Sequence, residues 1–224
     1  MLTSLHSAKD DRIFFKEALS LKDKGFDVSI LCLTDGNGFI KDMAGNVLNS
    51  SSESYIKSDG ISIFCIQKQQ GALEKILHKL GKGKTWENYI AKAGEIAADV
   101  YHAHEPQTAF IGIKIQRKKN SKLIYDAHEP WIFSRSAKEW ILKKLCLPKL
   151  KNIITANQIT QQSLLKENPN LHTEVIYNCS PAFFEEYQKE NKEVIGEIYK
   201  NIKKKSIYHA FALVLFEIKY TIFY

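Results

Sequence analysis

The sequence predicts an α/β fold built on a doubly wound parallel sheet. Apolar segments rich in β-formers alternate with segments of helical periodicity along most of the 224 residues. Two near-copies of one hexapeptide, Tyr101-His102-Ala103-His104-Glu105-Pro106 and Tyr125-Asp126-Ala127-His128-Glu129-Pro130, lie 24 positions apart. That interval fits a strand, a helix and a return strand. No run of 18 clean apolar residues occurs, so nothing in the pattern asks for a membrane span.

Residues 1–5 read as the end of a short strand. Residues 10–24 carry apolar positions at helical spacing (Ile13, Phe14, Ala18, Leu21), with Asp10 and Asp11 at the start and Gly25 as the stop. Residues 27–33 form a buried strand. Residues 34–58 are polar and glycine-dotted and read as a long loop with room for a short hairpin. Strand 60–67 follows, then helices 72–80 and 86–98 split by Gly81-Lys82-Gly83. Strand 99–103, helix 107–118 and strand 122–127 carry the two hexapeptides. Helix 136–147 halts at Pro148, and strand 152–156, helix 158–167 and strand 173–177 complete the alternation.

A charged helix is expected over 182–205. Residues 207–224 then change character: they are aromatic and β-branched, with no turn signals. The expected division is a domain over 1–181, followed by a linker helix and an atypical apolar tail over 182–224. The tail suits docking on a partner or a membrane, or is foreign to the domain altogether.

The net charge is +7, but the lysines are spread over many segments, with no aromatic RNA-binding signature. Nucleic acid is therefore not an expected partner. Most of this charge reads as solvated helix faces, with a membrane-facing patch as the lesser reading. The four cysteines are each more than 30 residues from the next, which excludes a CxxC zinc or redox motif. Charges begin at Lys9, too early for a secretory leader, so a cytoplasmic location is expected, with peripheral contact at the inner face of the membrane as its variant.

Both hexapeptides end strands on a His-Glu-Pro step. A histidine beside a carboxylate at a strand end can orient a hydroxyl, take a proton or hold a sugar oxygen. Proline directs the chain's exit from the strand. His102 and His104 share one face of a strand, but an HxH pair is a weak metal signal, and no metal is expected. No GxGxxG follows the first strand and no GxxxxGK[ST] occurs, so a dinucleotide or P-loop site is not expected.

These residues resemble a known family. Leu2-Thr3-Ser4-Leu5-His6-Ser7, the run Asp10-Asp11-Arg12-Ile13-Phe14-Phe15-Lys16-Glu17-Ala18, and Gly25-Phe26-Asp27-Val28 look like the first β-α-β unit of family 4 glycosyltransferases. Asp99 to His104 and Tyr125 to Glu129 look like two signature strand ends of that family. Ile154-Thr155-Ala156-Asn157 and Val175-Ile176-Tyr177-Asn178 resemble its later strands.

The resemblance implies one half of a GT-B architecture, in which two Rossmann-like domains face each other across a cleft. The amino-terminal half receives the acceptor and the other half binds the nucleotide sugar. It implies His128 as the catalytic residue near the donor sugar, with His6, Asp11, Arg12, His104, Glu105 and Glu129 around the acceptor and donor-sugar cleft. It implies no metal and no cofactor, the nucleotide sugar and a glycan or lipid-linked acceptor being substrates. The donor half's Glu-x7-Glu signature has formal matches only at Glu87/Glu95 and Glu185/Glu193, neither in its proper surroundings. The chain is therefore expected to be the acceptor-side half, inactive alone. Two alternatives stand beside it: an acceptor-binding subunit of a split glycosyltransferase whose donor domain is a separate chain, and a fragment of a GT-B-type sugar-nucleotide epimerase.

Overall fold

The computed structural model describes residues 1–35, 37–49, 54–79 and 81–178. The described residues belong to one unit, Met1–Asn178. The helix expected over 182–205, the tail over 207–224 and Cys179 lie outside them.

Among the described residues there are seven strands: β1 Ser29–Leu33, β2 Tyr55–Ser58, β3 Ile61–Ile66, β4 Val100–Ala103, β5 Lys122–Ala127, β6 Asn152–Thr155 and β7 His172–Val175. They form two hydrogen-bonded sets, β1-β3-β2 and β4-β5-β6-β7. Residues 1–3 join the sets. Leu2 bridges Leu31 on one side and Ala103 on the other, both in parallel sense. Leu2 N–H donates to His102 O at 2.6 Å and Thr3 N–H to Leu31 O at 3.0 Å. The chain thus starts in the middle of the sheet, runs outward to one edge through β1 and β3, and returns to the centre at β4. The crevice where the strand order reverses is the usual ligand site of a doubly wound sheet.

Among the described strands all pairings are parallel except β2 with β3. β2 falls at the end of the segment 34–58 read as a long loop, and its partner β3 is the strand expected over 60–67. The turn between them is Asp59-Gly60, with φ of 52° and 78°. Two successive positive φ values define the type I′ turn that matches strand twist, and Asp-Gly suits it because glycine meets no Cβ penalty there.

Helices cover both faces. They are α1 (Asp11–Ala18 continuing as Leu19–Asp23), α2 Ala72–Lys79, α3 Lys84–Ile96, α4 Pro106–Lys119, α5 (Ala137–Trp140 continuing as Ile141–Cys146) and α6 Gln158–Glu167. On β1, side chains alternate between two cores. Ile30 and Cys32 pack with Ile13, Phe14 and Ala18 of α1. Leu31 packs with Trp86, Tyr89 and Ala93 of α3 on the other face. The buried Tyr89 hydroxyl reaches the carbonyls of Leu31 at 2.7 Å and Thr3 at 3.0 Å, tying α3 to the central strand. The sulfurs of Cys32 and Cys65 lie 3.1 Å apart in paired register across β1 and β3, both as free thiols. Sequence spacing gives no hint of this pair. Among the described residues no helix is long and apolar enough to cross a membrane.

Candidate functional site

The site assembles at the carboxyl ends of residues 1–3, β4 and β5. The register between β4 and β5 decides who meets whom. Tyr101 pairs with Leu123 and Ala103 with Tyr125. The two hexapeptides are therefore staggered by one pair of residues, and His104 lies beside Asp126, not beside His128. Their Nδ1–Oδ2 distance is 3.5 Å.

Asp126 is the hub. It is wholly buried. Its Oδ2 accepts from Arg12 Nε at 2.9 Å and lies 3.1 Å from His128 Nδ1, while Oδ1 accepts from Arg12 Nη2 at 3.1 Å. Burial alone would raise its pKa. The nearby His104 imidazole and the bonds from His128 and Arg12 outweigh burial and hold the carboxyl well below the usual range.

Arg12 reaches Asp126 from α1, whose local winding is unusual. Asp10 caps the helix, its Oδ1 accepting from Arg12 N–H at 2.9 Å and Ile13 N–H at 3.1 Å. The turns from Asp11 to Ala18 are π-helical. A π turn is wider than an α turn and brings residues five apart onto one face. Arg12 Nε and Glu17 Oε1 accordingly meet at 2.8 Å. Glu17 is pushed up to about 9, first by burial and then by the neighbouring Asp126 charge, with Arg12 opposing. Asp126 thus stays charged while Glu17 holds its proton. Burial, followed by mutual repulsion with its neighbour's charge, lowers His102 and keeps it neutral. Burial likewise lowers His104, although Asp126 opposes it.

His6 closes the site from the first loop. Its Nδ1 lies 3.1 Å from Asp10 Oδ2 and its Nε2 lies 3.3 Å from His128 Nε2. Burial opposes charge on His6, but Asp10 and then Glu105 raise its pKa overall. A protonated His6 would donate through Nε2 to the lone pair of His128, whose Nδ1 proton is directed to Asp126. The assignment follows from the partners of each nitrogen.

Glu105 is not the counterpart of Glu129. It is fully buried and binds the first loop. Its carboxylate accepts from the Thr3 hydroxyl at 2.6 Å and from the backbone N–H groups of Ser4 and Leu5 at 3.1 and 3.2 Å. It also begins α4, with Pro106 in the first turn and the Thr108 hydroxyl accepting from Glu105 N–H at 3.0 Å. Glu129 is half-buried beside His6 and His128.

Of the residues expected at the site, the fold brings together His6, Arg12, His104, Glu105, His128 and Glu129. Asp11 stands apart, more than half exposed and paired with Lys16 at 3.1 Å. Sequence reasoning passed over Asp126, Glu17, Asp10 and Thr3. Asp126 lay inside a quoted motif. An acidic residue two positions before His128 on a strand shares its face, and that was the available signal. An open cleft of about 440 Å³ adjoins His6, lined by residues 4–8 with Thr34, Asp35, Ile40, Lys41 and Lys68.

Neither a protein-family model nor a curated protein matches the sequence. Solved structures do match. A chain of sucrose-phosphate synthase (tll1590) from Thermosynechococcus elongatus superposes with a TM-score of 0.53 at 15% identity, over 90% of this chain and 99% of that one. The two chains share the doubly wound α/β fold. A second structure, Alr3699/HepE of Anabaena in complex with UDP and glucose, gives a TM-score of 0.44 at 18% identity, over 84% of this chain and 49% of that one. The sheet of the present chain carries its His-Asp-Arg cluster at the strand-order reversal, where doubly wound sheets bind ligands.

Proposed function

We propose that this chain supplies the acceptor-side half of a family 4-type glycosyltransferase. With a donor-binding domain facing it, it would transfer a sugar from a nucleotide sugar to a glycan or lipid-linked acceptor. One observation carries the reading: His128 sits at the mouth of the strand-end crevice, anchored through Nδ1 by a buried carboxylate, with Nε2 turned to the first loop.

That geometry has a chemical use. A fixed imidazole with its Nδ1 proton engaged presents a lone pair at Nε2, suited to accepting from a sugar hydroxyl. His6 fills that position until a substrate hydroxyl takes it. Lys68 borders the neighbouring cleft and adds positive charge beside it, while Lys41 is paired with Asp35 at 3.0 Å. The family resemblance supports the same assignment.

The test is sugar transfer from a panel of nucleotide sugars, with this chain assayed alone and mixed with a donor-half protein. The expected result is transfer in the mixture, with His128→Ala lowering kcat by roughly 100-fold or more. Equal activity of native and His128→Ala mixtures would remove His128 from the reacting centre. Saturable nucleotide-sugar binding by the chain alone would contradict a purely acceptor-side role.

A further inference from the structure

Beneath the His128 edge lies a second cluster, of which the transfer reading uses only Asp126. Glu17 from α1, His102 from β4, His104 just past the end of β4, and Asp126 from β5 each offer a ligand atom, all within 4.8 Å of one another. His102 Nδ1 and His104 Nε2 each lie 3.9 Å from Glu17 Oε2.

Several of these atoms are buried without a hydrogen-bond partner: Glu17 Oε2, His102 Nε2 and both ring nitrogens of His104. His104 itself is wholly buried. Buried polar atoms are nearly always paired, because an unpaired one has lost its water without a replacement bond. Four orphaned atoms in one cluster call for an occupant. Arg12 does not fill the role: it takes Glu17 Oε1 and Asp126, leaving Glu17 Oε2 and both imidazoles open.

We propose that Glu17, His102, His104 and Asp126 form a binding site for a divalent first-row transition ion, zinc above all. Two imidazoles with two carboxylates suit such an ion and disfavour calcium or magnesium, which prefer all-oxygen shells. Tetrahedral zinc with bonds near 2.0–2.2 Å needs ligand atoms about 3.4 Å apart. One ligand atom from each of the four side chains lies within 4.8 Å of the others, with His102 Nδ1 and His104 Nε2 both 3.9 Å from Glu17 Oε2, so the shell must close inward around the ion. The ion would pin α1, β4 and β5 together behind Asp126 and so hold the residue that orients His128. The ion shares Asp126 with the anchor of His128 but takes no part in sugar transfer itself, and its binding is read out without that activity.

The test uses the full chain, stripped with a chelator and titrated with zinc against a chromophoric competitor. One zinc per chain is expected. Glu17→Gln and His104→Gln should each weaken binding at least about 100-fold. His6→Ala and the surface variant His172→Ala should leave it unchanged. Should a buried variant fail to fold, cobalt substitution decides: native chain and His6→Ala should both show the intense visible bands of a tetrahedral site. Loss of binding in His6→Ala with retention in Glu17→Gln would put the ion on His6, His128 and Glu129 and overturn the proposal. Absence of stoichiometric binding, or a weak octahedral cobalt spectrum, would also overturn it.

Discussion

At the scale of single residues, Asp126 and Asp10 set the electrostatics of the site. Replacing Asp126 by Asn would leave the Arg12 guanidinium buried beside a neutral amide and remove the anchor of His128. Breaking a buried ion pair from one side costs about 3–5 kcal/mol. Urea unfolding of Asp126→Asn should show a loss of that order, and an unchanged midpoint would mean that Arg12 finds water or Glu17 instead. Asp10 makes a pH prediction. Burial would raise its pKa, but the His6 bond and the helix N–H donors bring it down to about 2 from 3.8. The unfolded chain therefore takes up this proton first as the pH falls. The stabilisation is complete above about pH 4 and disappears as the pH drops through 2, an effect on the order of 2 kcal/mol. Asp10→Asn keeps a capping side chain but not the charge. The stability gap between native and Asp10→Asn chains should be present at pH 5 and closed at pH 2, and a gap that stays constant would assign the effect to capping alone. Both aspartates stand in plain view in the sequence. Asp10 was legible as a helix start. Asp126 was not singled out because its partners come from positions 12 and 104.

At the scale of elements, local patterns fared well where local physics governs. The alternation of strands and helices placed β1 and β3 to β7, and α1 to α6, within a few residues, because apolar periodicity directly reflects burial. The antiparallel β2 was covered only by a loop with a hairpin, although Asp59-Gly60 between β-forming residues is a strong hairpin signal. Gly60 has a φ of 78°. Gly60→Ala should cost about 1–2 kcal/mol. Thermal melts should register it as a lowered midpoint, and an unchanged midpoint would mean that the turn relaxes to another type. The π winding of α1 lay beyond sequence reading. Residues 11–18 have an ordinary helical pattern, and the wider turns appear together with the contact of Arg12 to Glu17 and Asp126.

At the scale of the whole molecule, everything converges on residues 1–3. Leu2 is buried and is the backbone link between the two strand sets. Trimming it to alanine should cost about 2–5 kcal/mol. Hydrogen exchange should then show protection falling on β1 and β4 together, because both ladders lean on the same segment. Protection lost on one side alone would show that the two sets are stable independently.

The sequence by itself determined the class of the fold, the order of its elements, and the fact that two His-Glu-Pro steps lie at one edge of a sheet. Those features depend on short-range periodicity, proline and glycine geometry and capping, all of which a chain carries locally. Tertiary structure alone decided what each step does. The stagger of β4 against β5 put His104 next to Asp126 and sent Glu105 inward to hold the first loop, leaving Glu129 near the surface. It also brought Cys32 to Cys65 and gathered Glu17, His102, His104 and Asp126 from three elements. Register depends on how side chains from distant elements fill a shared core, and a shift by one pair changes every neighbour across the sheet without altering the pattern of any single strand.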